Sequence, residues 1–217
     1  MGKRIILASA SPRRRELLSQ VGVEFAVRVS EQEERYESST PEEIVKELAL
    51  MKAEHVASEL ETEERQKGGL LRDTVVIGAD TVVVLDGDIL GKPADEEDAV
   101  RMLTRLQGRA HWVYTGAAVL DMDGEGQRKT ANYAVGTKVF VHEMTEEEIR
   151  AYVRTKEPLD KAGAYGIQGR FAAWIDRIEG DYYNVVGLPV SAVYRTLQEL
   201  GACPAGGAGC SRKDEAV

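Results

Sequence analysis

Cysteine is nearly absent from this 217-residue chain. Its two copies, Cys203 and Cys210, fall in a Gly/Ala-rich stretch near the C-terminus, with no cysteine or histidine at zinc-ligand spacing. A zinc module is thereby excluded, and a disulfide framework is not expected in a reducing compartment. Histidine is equally scarce: His55, His111 and His142 lie in three different predicted elements, which argues against a histidine metal centre and leaves them as surface or satisfied structural residues. No apolar run approaches the ~20 residues of a membrane span, and the N-terminus lacks a signal-peptide pattern, so no membrane partner and a cytoplasmic location are expected. The formal net charge is −9, a surface from which nucleic acid or an anionic membrane would gain little. No internal repeat is evident, and the lack of a P-loop lysine pattern and of a kinase catalytic loop weighs against phosphoryl transfer.

What remains is an ordinary globular composition, 43% hydrophobic and 30% charged, long enough for a real core as one large domain or two small lobes. The domain is expected over residues 1–201, and the tail 202–217 is expected to be disordered.

The chain is organised around Ile5 to Leu18, IILASASPRRRELL. Ile5, Ile6 and Leu7 form a short apolar strand. Ala8, Ser9 and Ala10 let a ligand approach the backbone, Ser11 is a good N-cap, and Pro12 suits the first helical position. The positive end of a helix ordinarily attracts acids, yet this one carries Arg13, Arg14 and Arg15. A bound polyphosphate would account for them. The alternative is that they splay into water and pair with Glu16 or other carboxylates.

After that helix, Glu24 to Val29 alternates like a strand and leads into the acidic run Ser30 to Ser39, where Glu33 and Glu34 could reach a metal or an attacking water. Thr40 caps a helix whose apolar face includes Val45, Leu48, Ala49 and Val56. Lys52 shares that face and either snorkels outward or points into a site. Glu59 to Arg72 is expected to be a helix end and a loop. Asp73 to Leu85 reads as two buried strands joined at Ala79-Asp80, so that Asp80 is either paired, hydrogen-bonded or metal-bound, or a turn residue. A hairpin turn at Asp86-Gly87 leads to Lys92 at the mouth of a loop. Asp95 and Thr145 cap two further helices, the second through a capping box with Glu148. Between them, His111–Asp121 and Lys129–Val141 form an antiparallel pair. Asp160 to Arg170 is a Gly-rich loop that offers the ring of Tyr165 and the amide of Gln168. Phe171 to Ile178 is expected to be a strand, and Pro189 begins the last helix. The interleaving predicts an α/β fold, a mixed twisted sheet flanked by helices around a cleft.

Five stretches, SASPRRRELL, VIGADT (76–81), LGKP (90–93), DKAGAYGIQG (160–169) and GDYYNVVGLP (180–189), occur in this order. Together they resemble the Maf family of septum-formation-inhibitor-like nucleotide pyrophosphatases over about residues 3 to 200. The resemblance implies a two-lobed fold similar to inosine triphosphate pyrophosphatases, and hydrolysis of a nucleoside triphosphate between its α- and β-phosphates. It also implies site roles: Asp80 as proton acceptor or metal ligand, Glu33 as a ligand of Mg²⁺ or Mn²⁺, and Ser9, Arg13, Lys52 and Lys92 as phosphate-binding residues. Arg13, Thr81 and Gln168 match the branch acting on dTTP and UTP, and the family is compatible with a homodimer.

Independently of the family, cations from four stretches and carboxylates from two suit a polyanionic substrate with a divalent cation. No serine or cysteine nucleophile is evident, so water is the simpler attacking group. The competing readings are a nucleotide- or protein-binding regulator of septum formation without turnover, and a phosphatase or kinase-like enzyme built on the same cradle.

Overall fold

A computed structural model describes residues 2–203. Among them one seven-stranded mixed sheet runs β2-β1-β3-β5-β6-β7, with β4 paired to β3. The strands are β1 (Arg4–Leu7), β2 (Ala26–Val27), β3 (Thr74–Leu85), β4 (Asp88–Leu90), β5 (Ala110–Met122), β6 (Arg128–Val141) and β7 (Ile175–Glu179). Pairings of β1 with β2 and β3 are parallel, and the others antiparallel. The helices are α1 (Pro12–Gln20), α2 (Pro41–Gln66), α3 (Glu96–Leu106), α4 (Glu146–Arg154), α5 (Tyr182–Val186) and α6 (Val190–Glu199). This is the expected α/β fold with a mixed sheet.

The two faces are covered unequally. Alternation along β3 sends Val75, Ile77, Ala79, Val83 and Leu85 into the larger core, where the other helices pack. Val76 faces the other way, into a core in which α2 supplies Ala49, Ala53, Val56, Ala57 and Leu60. Two glycines let α2 lie close to the sheet. A Cβ on Gly78 would stand 2.1 Å from the Ala49 carbonyl oxygen, and one on Gly116 would stand 2.0 Å from that of Val45. Any side chain at either position would lift the helix away.

Capping follows the local chemistry. Thr40, Asp95 and Thr145 each accept a hydrogen bond from the backbone N–H three residues on, and Thr145 with Glu148 completes a capping box. No helix among the described residues is long and apolar enough to cross a membrane.

Several expectations need correction. Asp73 to Leu85 is not two strands: β3 continues through Asp80, which is paired in register with Gly116. Glu59 to Arg72 is, as expected, a helix end followed by a loop, with α2 running to Gln66 because its glutamates and Arg65 are good helix formers. The strand expected at Glu24–Val29 shrinks to Ala26–Val27. Phe171–Trp174 lies in a 3₁₀ turn, and β7 starts only at Ile175. The Gly-rich stretch contains two more 3₁₀ turns, Glu157–Asp160 and Ala162–Ala164. Ala202 and Cys203 are buried, and the tail from 204 onward lies outside the described residues.

Candidate active site

On one edge of β3, β1 pairs with Thr74 to Ile77 and β4 with Val83 to Leu85. Between them, Gly78 to Val82 has no strand partner on that edge. This gap forms the floor of a cavity of about 990 Å³, and Asp80 sits at its centre. A buried strand can therefore hold a carboxylate there, because the cavity and a cation replace the missing apolar neighbours.

The cation is Lys52. Seated by the glycine contacts, α2 brings its ammonium to 2.5 Å from Asp80 Oδ1, and the same ammonium lies 2.7 Å from Glu34 Oε1. Its side chain is only 15% exposed, so the lysine points into the site instead of snorkelling. Glu34 also feels Lys92 and Arg14. Burial would raise its pKa, but these cations outweigh that effect and hold it below the usual carboxylate range.

The three arginines of α1 have three different fates. Arg15 turns outward and donates to the Ala10 carbonyl. Arg13 lies 3.6 Å from Asp160 across the cleft. Arg14 points inward and donates to Ser9 Oγ (3.0 Å), Thr81 Oγ1 (3.1 Å) and the Gly187 carbonyl (2.7 Å). Burial and the neighbouring Arg13 lower its pKa, while Asp80 and Glu34 oppose them. Arg14 thus ties the turn after β1, β3 and the end of α5 together at the wall of the cavity.

Of the residues expected from sequence, Ser9, Arg13, Lys52, Asp80, Thr81, Lys92 and Gln168 all line this cavity. Ser9 is buried and accepts from the Ser11 N–H, whereas Lys92 and Gln168 are exposed at the rim. Glu33 does not belong to the group. It is exposed and bonded to Arg35, and the next residue, Glu34, takes the place in the cleft. Sequence reasoning also missed Arg14 and Lys161, which needed the rotation of α1 and the path of the Gly-rich segment. Lys161 donates to the Glu157 carbonyl (2.5 Å) and to Asp160 Oδ1 (2.6 Å). Tyr165 offers less of its ring than expected: it is buried, and its hydroxyl is 2.8 Å from His111 Nε2. His111 is satisfied on that nitrogen only, because its Nδ1 is buried without a partner.

Altogether the cavity is lined by Arg13, Arg14, Lys52, Lys92 and Lys161 against Glu34, Asp80, Glu157 and Asp160. In a chain with a net charge of −9 that local balance favours an anion. The sequence profile described as Maf-like protein matches residues 4–200. The chain belongs to the Maf family. It is 51% identical over 199 residues to a dTTP/UTP pyrophosphatase of Agathobacter rectalis, covering 91% of this chain and 97% of the relative. Relatives with the same name from Lachnoclostridium phytofermentans and Bacillus cereus are 47% and 48% identical, covering 91% of this chain and 95% and 90% of the relatives. A solved dITP/XTP pyrophosphatase from Mycobacterium abscessus aligns with 65% of this chain and 75% of its own, at 18% identity and a TM-score of 0.37.

The Maf cleft can also be tested for a divalent cation. Among the described residues no group of three or more His, Cys, Asp or Glu could hold a metal by itself. Glu34, from the irregular segment before α2, and Asp80, from β3, nevertheless both reach the Lys52 ammonium and so lie on either side of it. Two carboxylates and no nitrogen or sulfur ligand fit a hard cation such as Mg²⁺, which takes its remaining ligands from water and substrate phosphates.

Proposed function

We propose that this chain hydrolyses dTTP and UTP to the nucleoside monophosphate and pyrophosphate. The observation that carries the reading is the placement of Asp80 in the strand gap, bridged by Lys52 to Glu34 and facing the arginine-bearing end of α1. The names of the relatives supply the nucleotides.

On this reading the triphosphate lies along the cations. Arg13, Lys92 and Lys161 neutralise its oxygens, and Arg14 holds Ser9 and Thr81 in place beneath it. Lys52 orients Asp80, whose carboxylate takes a proton from water as the water oxygen bonds to the α-phosphorus and the α–β bridging bond breaks. The leaving pyrophosphate carries away the bond pair, and the cations offset its charge. Glu34 and Asp80 would hold Mg²⁺ or Mn²⁺, which supplies further neutralisation of the phosphate oxygens when bound. Gln168, at the rim, presents an amide that can both donate to and accept from a uracil or thymine edge. On the same reading the chain clears pyrimidine nucleotides from the pool in the cytoplasm.

Hydrolysis of UTP in ¹⁸O-enriched water with mass analysis of both products tests the reading. Label in UMP is expected. Label in pyrophosphate would place the attack on the β-phosphorus and refute the mechanism.

A further inference from the structure

Residues 30–39 cross the cleft as an irregular strap, and α2 holds that strap at three points. At its start the Ser30 hydroxyl lies 3.1 Å from His55 Nδ1. In its middle Glu34 meets Lys52. At its end the Glu47 carboxylate accepts from the Glu37 N–H (3.0 Å), the Ser38 N–H (3.2 Å) and the Ser38 hydroxyl (2.7 Å).

Glu47 is not in the cavity lining, and it touches no group assigned to the chemistry. Its three bonds nevertheless close the strap onto α2 three and four residues after Glu34. Without them, Glu34 would be held mainly by its pair with Lys52, and Glu34 is 58% exposed on its side chain. Such a half-solvated pair is a weak tether for an irregular segment. A carboxylate accepting two backbone N–H groups and a hydroxyl is a stronger one, because each bond is charge-assisted and the two N–H groups belong to consecutive residues.

We propose that Glu47 is a positioning residue that anchors the acidic strap on α2 and thereby places Glu34 against Lys52 in the cleft. The assignment rests on the reading of this cleft as the nucleotide site, but the anchoring itself does not. Glu47 acts through Glu34, so its removal should weaken cation use and substrate capture more than the hydrolytic step.

The test uses the full chain and two variants, Glu47→Ala and the milder Glu47→Gln, each checked for an unchanged melting temperature. The first readout needs no turnover. Trypsin cuts after Arg35, an exposed residue at the middle of the strap. The cleavage rate at Arg35-Tyr36, followed by mass spectrometry, should rise at least about tenfold in Glu47→Ala, the factor for loss of one of its three charge-assisted bonds, and less in Glu47→Gln. The second readout is the Mg²⁺ concentration giving half-maximal UTP hydrolysis. It should rise about tenfold, with kcat at saturating Mg²⁺ within about threefold of the parent. The third is a double-mutant cycle: in a Glu34→Ala background, Glu47→Ala should leave kcat/KM unchanged.

Cleavage at the parental rate in both folded variants would overturn the anchoring. Faster cleavage with additive effects in the cycle would show that the strap does not act through Glu34 and would equally overturn the proposal. Absence of UTP hydrolysis by the parent chain would refute the function proposed above, and the proteolysis readout would still decide the anchoring.

Discussion

His111 should make the protein acid-labile by a calculable amount. The residue is 1% exposed, with Nε2 bonded to the Tyr165 hydroxyl and Nδ1 facing no partner. Burial pulls its pKa down from 6.5 to about 4. The folded state therefore refuses a proton that the unfolded chain accepts. Above pH 6.5 both states are neutral and His111 contributes no pH dependence. As pH falls through 6.5 the unfolded state is favoured by about 1.4 kcal/mol per pH unit, until the folded form titrates near pH 4. Over the whole window the loss is about 3 kcal/mol, a large share of a typical stability. Urea unfolding at pH 7, 6, 5 and 4.5, compared between the parent and His111→Gln, isolates this contribution, because the carboxylates are common to both proteins. The stability difference should move in favour of the variant by about 2 kcal/mol between pH 7 and pH 5. Parallel pH profiles would show that His111 takes up a proton in the folded state, and the reasoning from its burial would fail.

The remaining predictions concern the seat of α2 and the cations around Asp80. Gly116→Ala should destabilise the fold by about 1–3 kcal/mol through the clash with the Val45 carbonyl, measured by urea unfolding. It should also lower activity at temperatures where the variant is fully folded, because Lys52 moves with the helix. Lys52→Met should leave Asp80 and Glu34 without their shared cation and cost about 10²-fold or more in kcat/KM for UTP, with a cooperative melt retained. Arg14→Lys keeps the charge but cannot reproduce the three-way contact to Ser9, Thr81 and Gly187. A loss of about tenfold in kcat/KM is expected, read in the same assay.

Much of the fold was legible because its signals are local. Thr40, Asp95 and Thr145 announce their helices by residue type and spacing, and the long β5–β6 hairpin is visible in the two apolar-rich runs flanking a glycine turn. The misreadings arose where tertiary structure decides. An aspartate between apolar runs looks like a break in a strand, and only the gap between β1 and β4 and the approach of Lys52 make Asp80 tolerable inside a continuous one. Likewise the composition of the first motif shows an excess of arginine, but its rotation on Pro12–Gln20 decides that Arg14 faces inward while Arg13 crosses to Asp160. The choice between Glu33 and Glu34 is a one-residue matter in a segment without regular structure. No periodicity could settle it, and the Glu47 contacts that set its register come from a different element.

The most direct test of the central claim is phosphorus NMR of the purified protein with Mg²⁺ and UTP, dTTP, CTP, GTP, ATP or 7-methyl-GTP, beside Asp80→Asn. The account predicts monophosphate and pyrophosphate from UTP and dTTP, at a rate reduced by about 10²-fold or more in the variant. Orthophosphate as the first product, or an undiminished rate in folded Asp80→Asn, would contradict it.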